Sequence, residues 1–311
     1  MTKLHTDIIH YMDHNRTNNR SRLLIILILL VSSCAPKGPT FNETKFDIAE
    51  RDVTYCTMTK LPQKMDIYYP SSGGPWPVLM YVHGGSWIEG DKAEGEGWKY
   101  LNEHGFLVIS VNYRLGDYQT KFPTMIEDIK CAVRYLRAHS KEYNIDPERI
   151  AAVRARAGGH LVALLGTADE SAGWDKGEYP EQSSKVQAVI NISGIADFTS
   201  NIPSGLNTSI YYAFGKLANK DTLENIAASP ISYVTSGDPT FLIIHGDRDG
   251  IVPVEQSKIL HNKLIEAGVS STLVIVEGGD HGLRNPKGGD TNPTSAEINQ
   301  MIIGFLEETL K

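Results

Sequence analysis

His83-Gly84-Gly85-Ser86-Trp87 follows directly on the apolar run PVLMYV. Two glycines at a strand end let the backbone turn so that its N–H groups face a cleft, the device that stabilises a developing oxyanion; the simpler alternative is a plain turn. Residues 241–257, FLIIHGDRDGIVPVEQS, read as a buried strand, an acidic loop and the start of a helix. Asp249 stands where a carboxylate at a strand's C-terminal end orients an imidazole; Asp247 is the other candidate, and either would also serve to cap the turn. Glu277-Gly278-Gly279-Asp280-His281-Gly282 then closes the strand LVIV, and a histidine between glycines in such a loop is free to reach a cleft. Backbone donors, a carboxylate and a histidine are together the groups that general-base-assisted acyl transfer uses.

These groups need elements to carry them. Strands are expected at Met65 to Tyr69, Val78 to Val82, Phe106 to Val111, Ile150 to Val153, Val186 to Ile192, Phe241 to His245 and Leu273 to Val276. Several are continuously apolar rather than alternating, which suits strands covered on both faces. Between them, Met125, Ile126, Ile129, Val133 and Leu136 recur at helical spacing, as do Ile259, Leu260, Leu264 and Ile265, and Ile298, Ile302, Ile303 and Phe305. Strands alternating with helices predict a mostly parallel, doubly wound α/β sheet. The polar segments Thr167 to Lys185 and Thr199 to Thr222 are longer than ordinary connections and are read as lid or cleft-rim loops.

Several runs beyond the first three carry a family resemblance: VNYRL (111–115), FPTMIEDIKCAVRYLR (122–137), YNIDPERI (143–150), AGGHL (157–161) and ASPISYV (228–234). With HGDRDGIVP and GGDHG they make the chain, from about Asp52 to the end, resemble the bacterial esterase/lipase branch of the α/β-hydrolase fold. It is most similar there to exported carbohydrate esterases such as acetyl-xylan and feruloyl esterases, with hormone-sensitive-lipase-like carboxylesterases nearby. The resemblance implies Gly84, Gly85 and the amide of Ala157 as oxyanion donors, Asp249 as the acid and His281 as the base. It implies no cofactor and no metal.

One segment departs from that pattern. The family's nucleophile is the central residue of Gly-x-Ser-x-Gly, on a sharp strand-to-helix turn. Here IAAV is followed by Arg154-Ala155-Arg156-Ala157-Gly158-Gly159-His160, so Arg156 takes the serine position and Arg154 the first glycine. A guanidinium is protonated at any ordinary pH and is no nucleophile, which closes the acyl-enzyme route. Ser86, in the oxyanion loop, and Ser193, at the end of another strand, are the remaining serines near the motifs, but neither lies on a strand-to-helix turn. Three explanations compete: altered residues in an otherwise active esterase, each reachable by a single nucleotide change; a natural pseudoenzyme that binds an ester or glycan; or a new task for Arg156, such as gripping a carboxylate or pairing with Asp249.

The chain has 311 residues, of which 41% are hydrophobic and 22% charged. That composition is globular and excludes collagen, coiled coil and extended disorder. Leu23 to Val31 is a nine-residue apolar run preceded by Arg16, Arg20 and Arg22 and followed by Ser32, Ser33 and Cys34. It is too short to span a bilayer and resembles a bacterial lipoprotein signal, residues 1–33, with Cys34 as the lipidated residue; an ordinary secretory signal is the alternative, and Met12 is a second candidate start. Residues 34–50 then form a tether and 51–311 the hydrolase domain. Setting the leader aside removes four basic and two acidic side chains and takes the net charge from −7 to −9, which argues against nucleic acid as a partner.

Cys56 and Cys131 are left, too few for a metal motif; Cys131 reads as a packing residue, and export would permit a bridge between them. Trp87 is read either as a stacking surface for a sugar or aryl group or as packing on the loop. Tyr113, Arg114, Glu127 and Asp128 read as scaffold, as does His160. The expectation is therefore an envelope lipoprotein, membrane-bound through its lipid, of the carboxylic-ester hydrolase family, acting on small-molecule or polysaccharide esters and nearly inactive as written. Its alternatives are a non-catalytic ester- or glycan-binding lipoprotein and an arylformamidase-like amide hydrolase; the oligomeric state is left open.

Overall fold

A computed structural model describes residues 49–58 and 61–311; the leader, Cys34 and the tether through residue 48 lie outside the described residues. Eight strands form one sheet: β1 (Ala49–Cys56), β2 (Gln63–Tyr68), β3 (Trp76–Val82), β4 (Leu107–Val111), β5 (Ile145–Ala155), β6 (Ala188–Ile192), β7 (Thr240–Gly246) and β8 (Ser271–Val276). Their order is β1-β2-β4-β3-β5-β6-β7-β8. β1 and β2 run antiparallel to their neighbours and the rest are parallel. Every residue of β3, β4 and β6 is buried, as expected of strands with helices on both faces.

The helices are α1 (Thr124–Ala138), α2 (Arg156–Thr167), α3 (Asn207–Phe214), α4 (Leu223–Ala228), α5 (Glu255–Glu266) and α6 (Ser295–Leu310). The stripe expected in α1 is buried, as are Ile298, Ile302 and Ile303 of α6, while Phe305 is only partly buried; α6 starts at a capping box between Thr294 and Glu297. In α5 the buried apolar pair is Leu260 and Leu264 one turn apart, whereas Ile265 is 52% exposed, so it belongs to the outer face.

One expectation is corrected and another refined. Thr167 to Lys185 does not rim the cleft; it is bound to α1, where Lys130 Nζ and Arg134 Nη1 reach Asp175 at 2.9 and 3.1 Å and Arg137 Nη2 donates to Lys185 O at 2.6 Å. Three nearly buried cations on α1 need acceptors, and this long connection supplies them. Thr199 to Thr222 is partly helical, since it contains α3, and it packs on the 83–87 loop. Phe214 of α3 packs edge-on against Trp87 at 5.1 Å between ring centroids.

β1 is also an addition. Its pattern, half exposed and interrupted by charge, hides it from a search for apolar runs. It is fastened from outside its own ladder: Cys56 is disulfide-bonded to Cys131 of α1, Cα to Cα 6.5 Å. Cys131 is therefore a cross-link as well as a packing residue.

Candidate active site

Because β3, β5, β6, β7 and β8 are parallel neighbours, their C-terminal ends share one edge, and the loops that leave them meet there. The 83–87 loop leaves β3, Arg156 opens α2 directly after β5, Asp249 follows β7, and His281 follows β8. Arg156 and His281 stand 125 residues apart in the chain and are brought into contact here.

His281 Nδ1 lies 2.6 Å from Asp249 Oδ2. The same oxygen is 3.1 Å from His245 Nε2, while Asp249 Oδ1 accepts from the amides of Ile251 and Val252 at 2.8 and 2.9 Å. Burial alone would raise this carboxyl, but the hydrogen bonds of His245 and His281 and of the Val252 amide outweigh it and hold Asp249 far below the usual carboxylate range. Asp249 is therefore a fixed anion that orients His281 with its Nδ1 bound. Sequence reasoning misses His245. It is fully buried, with Nδ1 on Ser257 Oγ at 2.7 Å and Nε2 also on Val252 O at 2.9 Å, and it braces the carboxylate from behind. Asp247 is not the partner of His281; its Oδ1 accepts from Gly278 N at 2.6 Å and ties the two loops together.

The 83–87 loop is held from below. Tyr113 Oη donates to His83 O and Gly84 O at 3.1 and 3.3 Å, and its ring stacks on His83 at 4.2 Å. Gly85 has φ 91°, and a Cβ there would stand 1.9 Å from Glu89 O, so only glycine fits the bend. Among the described residues, the amides of Gly84, Gly85 and Ala157 donate to no backbone or side-chain acceptor. This is what an oxyanion site requires of its donors.

Trp87 is 2% exposed, which settles its role as packing rather than as a surface for substrate. Its Nε1 donates to His160 Nδ1 at 3.0 Å, and His160 Nε2 donates to Ala228 O at 2.7 Å. Burial lowers the His160 pKa from 6.5 to about 4, so the ring is neutral. Between those values the unfolded chain binds the proton and the folded chain does not, so stability is full above pH 6.5 and is lost as pH falls toward 4. Up to about 3 kcal/mol rides on this group. Asp238, raised to about 6 by burial, works in the opposite direction over part of the range, so the readout is the difference between the chain and a His160→Asn variant. Urea unfolding from pH 7 to 4.5 is expected to show a steeper acid loss in the unaltered chain; parallel curves would refute this.

Arg156 has φ 62°, the left-handed backbone of a strand-to-helix elbow carried by a residue with a side chain. The bend is imposed by packing: a Cβ on Gly158 would lie 2.5 Å from Val82 O, and one on Gly159 3.1 Å from Arg154 O, so α2 presses directly on its neighbours. The Arg156 guanidinium reaches across to the histidine loop, Nε donating to His281 O over 3.4 Å. Burial lowers its pKa while Asp249 and Asp280 oppose the shift; it remains a cation. No salt bridge joins it to Asp249 among the described residues, so the pairing considered from sequence is not formed. Neither Ser86 nor Ser193 bonds to His281; Ser193 Oγ is buried without a partner.

Arg154 points the other way. Its guanidinium lies over the Tyr81 ring at 4.6 Å, donates to Tyr81 Oη and pairs with Glu94 at 2.6 Å. Burial, then Arg156, push its pKa down to about 9, which leaves it charged at neutral pH. Its buried Nε has no partner. Glu94 lies 60 residues away in sequence, and no local pattern marks it as a counter-ion.

The arrangement therefore holds an oriented imidazole, a bound carboxylate and oxyanion donors around a turn that presents a guanidinium. Comparison with known proteins places the fold in a family. The BD-FAE family model matches residues 65–264. Esterase LipC of Mycobacterium tuberculosis is 31% identical over 234 residues, 72% of this chain and 57% of its own length. A probable isoprenylcysteine alpha-carbonyl methylesterase of Arabidopsis thaliana is 27% identical over 265 residues, 79% of this chain and 55% of its own length. The chain thus spans about half the length of the curated relatives it matches. Among solved structures, a truncated carbohydrate esterase from gut microbiota superposes with a TM-score of 0.72 at 28% identity, covering 88% of this chain and 99% of that one. Thermogutta terrifontis esterase 2 does so with a TM-score of 0.69 at 26% identity, covering 84% and 94%. The chain belongs to the BD-FAE family, esterases of the α/β-hydrolase fold.

Proposed function

We propose that this protein carries the cleft of a carboxylic-ester hydrolase for short acyl groups, acetyl or feruloyl esters of plant polysaccharide, and that it is nearly silent as written. The observation that carries the reading is the 2.6 Å bond between His281 and Asp249, set against a turn whose backbone suits a nucleophile and whose side chain is Arg156. Asp249 is the acid, His281 the base, and the amides of Gly84, Gly85 and Ala157 the oxyanion donors. Loss of the nucleophile removes about 10⁶ in turnover, and donors and binding leave a residual of about 10³ over water. The acyl choice is supported by the carbohydrate esterase among the similar structures. Lipid anchorage at Cys34 in the cell envelope is part of the proposal, and the Cys56–Cys131 disulfide supports an oxidising compartment.

Purified protein incubated with p-nitrophenyl acetate and methyl ferulate is expected to release product at rates close to those of a His281→Ala variant, and a fluorophosphonate probe is expected to leave it unlabelled. Turnover with stoichiometric labelling would overturn the silence and point to a serine elsewhere in the chain.

A further inference from the structure

We propose that the cleft binds free carboxylates, taking the acid where a hydrolase takes the ester, with the Arg156 guanidinium as the gripping group. The inference rests on the reading of this cleft as that of an ester hydrolase, and it names the species the cleft now prefers.

The first observation is a cation without a direct counter-ion. Arg156 is partly buried, yet its one hydrogen bond runs 3.4 Å to a neutral carbonyl, that of His281. The nearest acids are already committed. Asp249 receives four hydrogen bonds, two on each oxygen, from His281, His245, Ile251 and Val252. Asp280 Oδ1 receives the amides of Gly282 and Arg284 at 2.8 and 3.0 Å. A desolvated guanidinium that lacks a paired anion is costly, and a carboxylate that completes its planar fork returns two charge-assisted hydrogen bonds.

The second observation is independent of the side chain. The amides of Gly84, Gly85 and Ala157 have no protein acceptor among the described residues, and two of them are fixed by a loop that Tyr113 buttresses from below. Donors that meet an oxyanion only transiently in a hydrolase would here meet a permanent one. Charge selects the ligand. A neutral ester offers the guanidinium a carbonyl oxygen but no net charge, whereas an acid offers two equivalent anionic oxygens. The acid's body would occupy the space otherwise used by an acyl group, which makes small organic monocarboxylates the ligand class. Arg154 is not the gripping group, since Glu94 and Tyr81 already engage its guanidinium.

The test is calorimetry at pH 7 and low salt on the full chain, with acetate and ferulate as probes and methyl ferulate as the neutral control. Ferulate is expected to bind at least about tenfold more tightly than its methyl ester, and its affinity to fall with added salt. Arg156→Gln is expected to weaken ferulate at least about tenfold, with Arg156→Lys in between because it keeps the charge and loses the fork. Thermal unfolding of each variant establishes that it is folded. The inference is overturned if neither acid binds, if the methyl ester binds as tightly as the acid, or if a folded Arg156→Gln binds ferulate unchanged. Should esterase activity appear in a protein reverted at 154 and 156 while the unaltered chain ignores acids, the hydrolase reading stands and this inference alone falls. Acid binding beside a silent revertant would support this inference and count against the hydrolase reading.

Discussion

Arg154→Gly combined with Arg156→Ser is expected to raise turnover of p-nitrophenyl acetate by at least about 10³ over the unaltered chain. The expectation follows from what the rest of the site retains. The introduced serine would inherit an elbow at φ 62° and a histidine whose Nδ1 is already bound to Asp249 at 2.6 Å. Its Oγ would attack the acyl carbon as His281 Nε2 takes the hydroxyl proton. The amides of Gly84, Gly85 and Ala157 would receive the oxyanion, and His281 would return the proton to the leaving alcohol. Water would repeat the sequence to free the acid. Removing Arg154 matters because its Nη2 would lie 2.9 Å from a Cβ on Gly84, so it crowds the loop that must accept the oxyanion. In the revertant, His281→Ala should abolish the gain and Asp249→Asn should cost about 10⁴. A folded revertant that neither turns over substrate nor takes up fluorophosphonate would sink the assignment of Asp249 and His281.

The second large effect concerns stability. Cys56→Ser with Cys131→Ser is expected to cost about 4 kcal/mol, from the entropy of a loop of 75 residues released in the unfolded chain. The bridge joins the outermost strand to α1, so its loss also frees β1 to fray. Urea unfolding should show a midpoint lowered by about 1 M or more. Reducing agent should produce the same shift in the unaltered chain and none in the double variant. Equal midpoints with and without reductant would show that the cross-link contributes nothing.

The catalytic elements are legible in the sequence because each carries a local signal. Asp249 and His281 sit on glycine-marked loops directly after apolar strands, and every strand except β1 is apolar enough to find without its partners. What is hidden depends on how the folded chain brings side chains together. His245 reads as the last residue of a strand, and only folding shows that it braces Asp249. Glu94 lies in a polar run that gives no hint of Arg154. Trp87 is ambiguous because aromatic residues serve both packing and stacking; α3, concealed in a segment that reads as loop, is what buries it. The reading of 167–185 as a rim fails for a related reason, since length and polarity do not reveal which face of the sheet a connection covers. Here the cations of α1 decide that.

The bend at residue 156 has a consequence for how such a chain persists. Its shape is dictated by Gly158 and Gly159, which let α2 sit against the ends of β3 and β5, and not by the residue at the apex. Folding quality control inspects packing, and the backbone of this turn is shaped without help from the apex side chain. A protein of this build can therefore lose its reaction without losing its abundance. Residue 156 is in effect a socket whose occupant, together with residue 154, sets the chemistry offered at this turn.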